Sequence, residues 1–213
     1  MIFDIQRDSA LPPLAWCAQV AFADETALLR CGDAVESDGH FCFEGAWNGE
    51  FGSFGFHEAT VCFGSGLLLS ERAVQGVTPS HNIERLFLIY THEKVWVVSN
   101  SFPFLLEQAG LELDPSYIFY GTDLDTMRLG TKRYVKSMPL LGGVRVNVHM
   151  CENFALRGDG TVDRTAKPAP EPFESFESYE AFLLATANAL LANATDAERR
   201  VQYTPVTTIS SRY

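Results

Sequence analysis

Gln202-Tyr203-Thr204-Pro205-Val206-Thr207-Thr208-Ile209-Ser210-Ser211-Arg212-Tyr213 reads as a short apolar strand that runs into a pair of serines. A strand opening into a small-residue turn is where α/β proteins place phosphate-binding loops. Small side chains let backbone N–H groups close on a phosphate, and the helix that follows adds its dipole. The sequence ends where such a turn would begin. Upstream lies the clearest helical pattern in the chain, Phe176 to Arg200. Tyr179, Phe182, Leu183, Thr186, Ala189, Leu190 and Asn193 recur at a period of about 3.6 residues. Ser175 or Ser178 stands in a capping position, and Arg199-Arg200 suits the negative end of the helix dipole. Residues 157–172 are rich in Gly, Asp and Pro, with Pro168, Pro170 and Pro172 in alternation, and read as a stiff extended linker. The chain therefore divides near residue 168. Residues 1–167 form a mostly β domain ending in the linker. Residues 168–213 form the first helix and strand of an α/β domain, truncated after that strand.

The first part reads as strands joined by turns. Leu11-Pro12-Pro13 closes an extended lead-in. Trp16, Val20 and Phe22 fall at alternate positions, Asp24-Glu25 turns, and Thr26 to Cys31 is a partner strand. Asp33 to Gly39 is read as a loop. In His40 to Trp47, Phe41, Phe43 and Gly45 share one side while Cys42, Glu44 and Ala46 share the other. The glycines between residues 49 and 66 are too irregularly spaced for a dinucleotide fingerprint and read as hairpin turns. Glu84–Tyr90 and Lys94–Ser99, separated by Thr91-His92-Glu93, form a hairpin. A short helix follows from a Ser101 cap to a Gly110 stop, with Pro103 in its first turn. Asp114-Pro115 is expected to cap and begin another helix carrying Tyr117, Ile118 and Tyr120, with Gly121 to Gly130 a loop. Tyr134–Met138 and Val144–Val148 are strands linked across Pro139-Leu140-Leu141-Gly142-Gly143.

Composition bounds the function. The chain is 46% hydrophobic with 16 phenylalanines, enough for a substantial core, and its net charge is −11. An acidic surface repels phosphate backbones and anionic headgroups, so nucleic acid and membrane are not expected partners. A single nucleotide held by local backbone donors remains compatible with it. Five cysteines without a C-x-x-C pair read as buried free thiols in a reducing compartment. No apolar run reaches the roughly 18 residues of a membrane span, and the start of the chain is too charged for a secretion signal. A cytoplasmic location is expected. His40, Cys42, His57 and Cys62 lack the spacing of a four-ligand zinc site, so no metal is expected. Asp123 and Asp125 read as a solvated turn, Asn193-Ala194-Thr195 as an unused glycosylation sequon. No Gly-x-Ser-x-Gly element anchors a hydrolase triad.

Linker, capped helix and terminal strand in that order resemble the domain junction of the asparagine synthase (glutamine-hydrolysing) family. There the first strand of the synthetase domain ends in a Ser-Gly-Gly-x-Asp-Ser pyrophosphate loop. Ser210-Ser211-Arg212-Tyr213 is similar to the front of that loop, with Arg212 where glycine is usual. Three further stretches match the family in order and spacing. They are Lys94-Val95-Trp96-Val97-Val98-Ser99-Asn100 before the helix to Gly110, Leu111-Glu112-Leu113-Asp114-Pro115, and Pro139-Leu140-Leu141-Gly142-Gly143-Val144-Arg145-Val146.

The resemblance implies an α+β, Ntn-hydrolase-like sandwich of two antiparallel sheets with flanking helices, then the start of a PP-loop domain. It implies ATP binding beginning at Ser210 and Ser211, with ATP and Mg held only by the full-length protein and no cofactor in this chain. The implied partner is the remainder of the chain's own synthetase domain, with a homodimer also open. The family's amidotransferase domain begins with a catalytic cysteine, whose α-amine is the base and whose thiolate attacks. This chain has Ile2 there, and Cys17 would serve only after cleavage behind Trp16. Asn48-Gly49-Glu50 echoes the triplet that holds glutamine's amino and carboxylate groups, and also suits a hairpin turn. Three readings follow. One is the N-terminal portion of an ATP-dependent amide-forming ligase whose glutaminase domain has lost its nucleophile. A second is a non-catalytic binding or scaffold module on a relic glutaminase fold. The third is an amidase activated by cleavage before Cys17.

Overall fold

Among the described residues the alternating runs become thirteen strands and three α-helices. In chain order these are β1 (Phe3–Arg7), β2 (Trp16–Ala21), β3 (Thr26–Cys31), β4 (Glu36–Ser37), β5 (Phe41–Trp47), β6 (Cys62–Leu69), β7 (Val74–Val77), β8 (Leu86–Tyr90) and β9 (Trp96–Ser99). Then come α1 (Phe102–Ala109), α2 (Tyr120–Asp125), β10 (Ser137–Pro139), β11 (Arg145–His149), β12 (Glu152–Leu156), β13 (Val162–Ala166) and α3 (Phe176–Ala194). The computed structural model describes residues 1–70, 73–204 and 206.

Two sheets form. The first has the order β1-β3-β2-β9-β8-β11-β10, with β1 parallel to β3 and every other neighbour antiparallel. The second has the order β13-β12-β7-β6-β5-β4 and is antiparallel throughout. Between them lies a core drawn from both: Trp16, Val20, Leu29, Leu88, Trp96 and Val98 from the first, Cys42, Leu67, Val74 and Phe154 from the second. Both sheets are also covered on their outer faces, which explains why β2 and β5 are buried on both sides. Over the first sheet, Phe104 and Leu105 of α1 join Cys17, Phe87, Ile89, Val97 and the 134–150 segment. Over the second, Phe41, Phe43 and Trp47 meet Phe51 and Phe56 from two 3-10 turns, Phe51–Ser53 and Gly55–His57. Each such fully buried aromatic contributes about 1.5–3 kcal/mol. The molecule is thus α+β, with few helices around two sheets.

Gly45 of β5 and Gly64 of β6 are register partners with φ of 105° and 135°. A Cβ on Gly64 would lie 1.8 Å from the Glu44 carbonyl oxygen, and one on Gly45 1.9 Å from that of Phe63. Only glycine fits either place.

Several expectations are corrected. The lead-in contains β1, whose Phe3–Arg7 pairs with Ala27–Cys31. Glycines 64 and 66 lie inside β6, and the stretch before it forms 3-10 turns rather than a simple hairpin. Ser101 occupies the α1 cap position without a side-chain cap bond, while Gly110 does close the helix in the left-handed region. The Asp114 carboxylate is spent on Ser116, accepting from its N–H and hydroxyl, so no helix starts there. The helix begins instead at Tyr120 and runs to Asp125, into the expected loop, and the Tyr120 hydroxyl ties the Asp114 N–H to the Pro139 carbonyl. The first part of the expected linker folds back as β13, in register with β12. Asp33 to Gly39 contributes the short strand β4.

α3 starts where the sequence places it, with a reciprocal bond pair: Ser178 N–H to Ser175 Oγ at 3.2 Å and Ser175 N–H to Ser178 Oγ at 3.1 Å. It ends at Ala194, six residues short of Arg200, because the chain reverses and Tyr203 N–H bonds the Ala194 carbonyl at 2.9 Å. Residues 202–204 and 206 are not strand, and the rest of the expected terminal strand, with Ser210 and Ser211, lies outside the described residues.

Candidate functional site

The end of β9 is bolted to the beginning of β2. The Asn100 Oδ1 accepts the Trp16 N–H at 3.0 Å, and its Nδ2 donates to the Leu14 carbonyl at 2.9 Å. The Ser99 hydroxyl donates to the Trp16 carbonyl at 2.6 Å and accepts the Ser101 N–H at 3.0 Å. These bonds hold the chain before β2 open against the second sheet, leaving a cavity of about 290 Å³ lined by Leu14, Ala15, Glu44, Glu84, Asn100 and Ser101, among others.

Glu44 is the unusual member. The alternation of β5 sends Phe43 into the outer core and Cys42 and Glu44 toward the first sheet. Glu44 is only 6% exposed, and its Oε1 accepts the Ser65 N–H at 2.9 Å and the Ser65 hydroxyl at 2.8 Å. Burial pushes its carboxyl up to about 8, against those hydrogen bonds and with help from the negative charge of Glu84. Near neutrality the group is mostly an uncharged acid, able to give up a proton when a positive charge arrives. The sequence carried a signal for it, an acid at an inward position of an alternating strand, but Glu44 was not singled out.

Cys17 is not in this cavity. Its side chain is 2% exposed and lies on the opposite face of β2, in the cluster with Phe87, Val97 and Phe104 beneath α1. Burial pushes its thiol up to about 12, so it is not a thiolate at neutral pH. Asn48, Gly49 and Glu50 are elsewhere again. Asn48 closes the 48–61 excursion, donating to Thr60 Oγ1 at 2.8 Å and accepting the Val61 N–H at 3.0 Å. The Gly49 carbonyl accepts Asn193 Nδ2 at 2.9 Å. Glu50 leads into the first 3-10 turn, its carbonyl accepting the Ser53 hydroxyl at 2.7 Å. The triplet therefore borders α3, while Cys17 lies beneath α1, and the structure does not bring them together.

A second polar cluster holds α3. The fully buried Arg199 guanidinium lies over Phe51, Tyr203 and Trp47, 4.5, 5.0 and 5.7 Å from their ring centres. It donates to the carbonyl and side-chain oxygen of Asn193, with Glu36 at 3.9 Å. Asn193 and Ala194 are the only buried residues of α3, so the helix is anchored by its last turn. Much of the rest of its apolar surface is open, Phe176 and Leu184 being 72% and 60% exposed.

Among the described residues no three His, Cys, Asp or Glu side chains are arranged to hold a metal. Cys42 and Cys62 lie on opposite faces of the second sheet. No described helix is long and apolar enough to cross a membrane. No family model, no curated protein and no solved structure matches the chain.

Proposed function

We propose that the chain is the N-terminal portion of an asparagine synthase-like, ATP-dependent amide-forming ligase. Its first domain has the Ntn-hydrolase-type glutaminase architecture without the nucleophile. One observation carries this reading: a two-sheet sandwich, covered on both outer faces, is followed by a serine-capped helix that buries residues against it only in its last turn. An apolar helix so placed is suited to the wall of a second domain. ATP and Mg belong to that domain in the full-length protein, whose loop would begin at Ser210 and Ser211. Activation of a carboxylate as an acyl-adenylate is the chemistry ATP supplies there. The sealed Cys17 thiol favours ammonia or an amine as nitrogen donor over hydrolysed glutamine. The same sealing supports a second reading, a non-catalytic binding module on the relic fold.

The test is to express the whole open reading frame that contains the chain. Pyrophosphate release dependent on ATP and ammonia, with no ammonia produced from glutamine, is the expected result. Glutamine hydrolysis abolished by Cys17→Ala would overturn the lost-nucleophile reading. A frame that stops after Tyr213, with no ATP-dependent activity, would leave the binding module as the function.

A further inference from the structure

We propose that the Glu44 cavity is a binding site for a small organic cation, a primary ammonium on a short apolar stem, and that it excludes amino acids. The inference stands on the cavity alone and not on the family reading above.

Glu44 is more than nine-tenths buried and borders the cavity. Its Oε1 accepts twice from Ser65, and the Asn100 side-chain amide also lies within reach of the carboxylate. No described Lys or Arg forms an ion pair with it. A buried carboxyl lacking a counter-charge is costly to ionise, and an ammonium entering the cavity would supply that counter-charge. The Ser101 hydroxyl is a further acceptor in the lining, and an ammonium has three donors to place. Pro12, Leu14 and Ala15 provide an apolar wall for a stem. At about 290 Å³ the space is at the small end of ligand pockets, roughly 300–1,000 Å³.

Exclusion of amino acids follows from the charges. Glu84, with 57% of its side chain exposed, adds a second carboxylate to the lining, and no described base lines the cavity. A ligand carboxylate would meet two acids and no cation.

Binding is coupled to proton release: the O–H of Glu44 breaks, its proton passes to buffer, and the carboxylate pairs with the ammonium. The other titratable groups around Glu44 are Glu84, Cys42, Cys62 and Tyr203, with His81 3.8 Å from Glu84. Burial raises both thiols and the phenol, so they stay neutral across the range tested. His81, lowered by burial, is mostly neutral from pH 6.5 upward.

The experiment is isothermal titration calorimetry of the chain with n-butylammonium, n-butyramide and glutamine, at pH 6.5 and 8.5, in buffers of different ionisation enthalpy. Butylammonium is expected to bind with proton release, its affinity rising about tenfold or more between the two pH values as Glu44 ionises. Butyramide and glutamine should bind at least about tenfold more weakly. Glu44→Gln should lose about tenfold or more and its pH dependence, while Glu84→Gln should lose only a few-fold. Equal binding of butyramide, competition by glutamine, or unchanged affinity in a folded Glu44→Gln protein would each overturn the proposal. If Glu44→Gln does not fold, the wild-type comparison decides: butylammonium binding without proton release refutes it.

Discussion

Glu44 makes stability depend on pH in a direction opposite to most carboxylates. Its folded pKa, about 8, lies above the ordinary Glu value of 4.5. The stabilisation of the protonated form is therefore fully present below the unfolded value and is lost as pH rises through the folded one. Over that window the wild type should lose on the order of 4 kcal/mol from this group. Gln at this position keeps an oxygen for Ser65 and cannot ionise. The melting temperature of Glu44→Gln should fall less steeply from pH 5 to 8.5 than that of the wild type, and parallel curves would show that Glu44 does not titrate there. His149, lowered by burial despite Glu152 at 2.7 Å, contributes in the other sense, losing stability as pH falls, and is common to both proteins.

The Gly45–Gly64 contact is a second residue-scale constraint. Gly64→Ala combines a positive φ with a Cβ 1.8 Å from a carbonyl oxygen, and should cost about 3 kcal/mol or more in urea unfolding. A cost under about 1 kcal/mol would mean that the strands separate without penalty. Neither Glu44's cavity nor this contact was legible in the sequence, since each is made by residues meeting from different strands.

At the scale of elements, α3 shows what local pattern can and cannot reveal. Its period and its Ser175 cap were legible because both are written within a few residues. Arg199 suits the helix end by its position in the sequence, and it does reach the Asn193 carbonyl. What could not be read is the aromatic surface that receives it, since Trp47 and Phe51 are some 150 positions away. α2 was missed for a related reason: Asp114 looks like a cap, but its carboxylate is used one turn too early. Because α3 has its buried residues only in its last turn, Arg199→Ala should release the helix without opening the sandwich. It removes the cation from three rings and two hydrogen bonds from Asn193, a loss of about 2–4 kcal/mol to the anchor. Hydrogen exchange should accelerate across 176–203 and stay unchanged in β2, β8 and β9. Uniform acceleration would show that α3 is integral to the core, not an appended element.

The whole molecule was legible as α+β, with the β8–β9 and β2–β3 hairpins in place, because antiparallel neighbours close in sequence announce themselves through alternation and turns. The parallel β1–β3 pair and the edge strand β13 were not, the first because its pairing skips β2 and the second because its composition is that of a linker. Closure of the sandwich has a chemical consequence that tests the functional reading. Cys17, Cys31, Cys42 and Cys62 are buried free thiols, and Cys151, in the turn from β11 to β12, is partly accessible. An aromatic disulfide reagent should therefore titrate about one thiol promptly in the folded chain and all five after unfolding, with Cys151→Ser removing the prompt one. Cys17 is sealed between β2 and α1 by the same packing that aligns β2 with β9, so its reactivity can rise only if that layer opens. Prompt modification of Cys17, or an intact mass starting at Cys17, would restore an N-terminal nucleophile. A slow Cys17 in a protein starting at Met1 leaves the layered fold without an N-terminal nucleophilic thiol, as the lost-glutaminase reading requires.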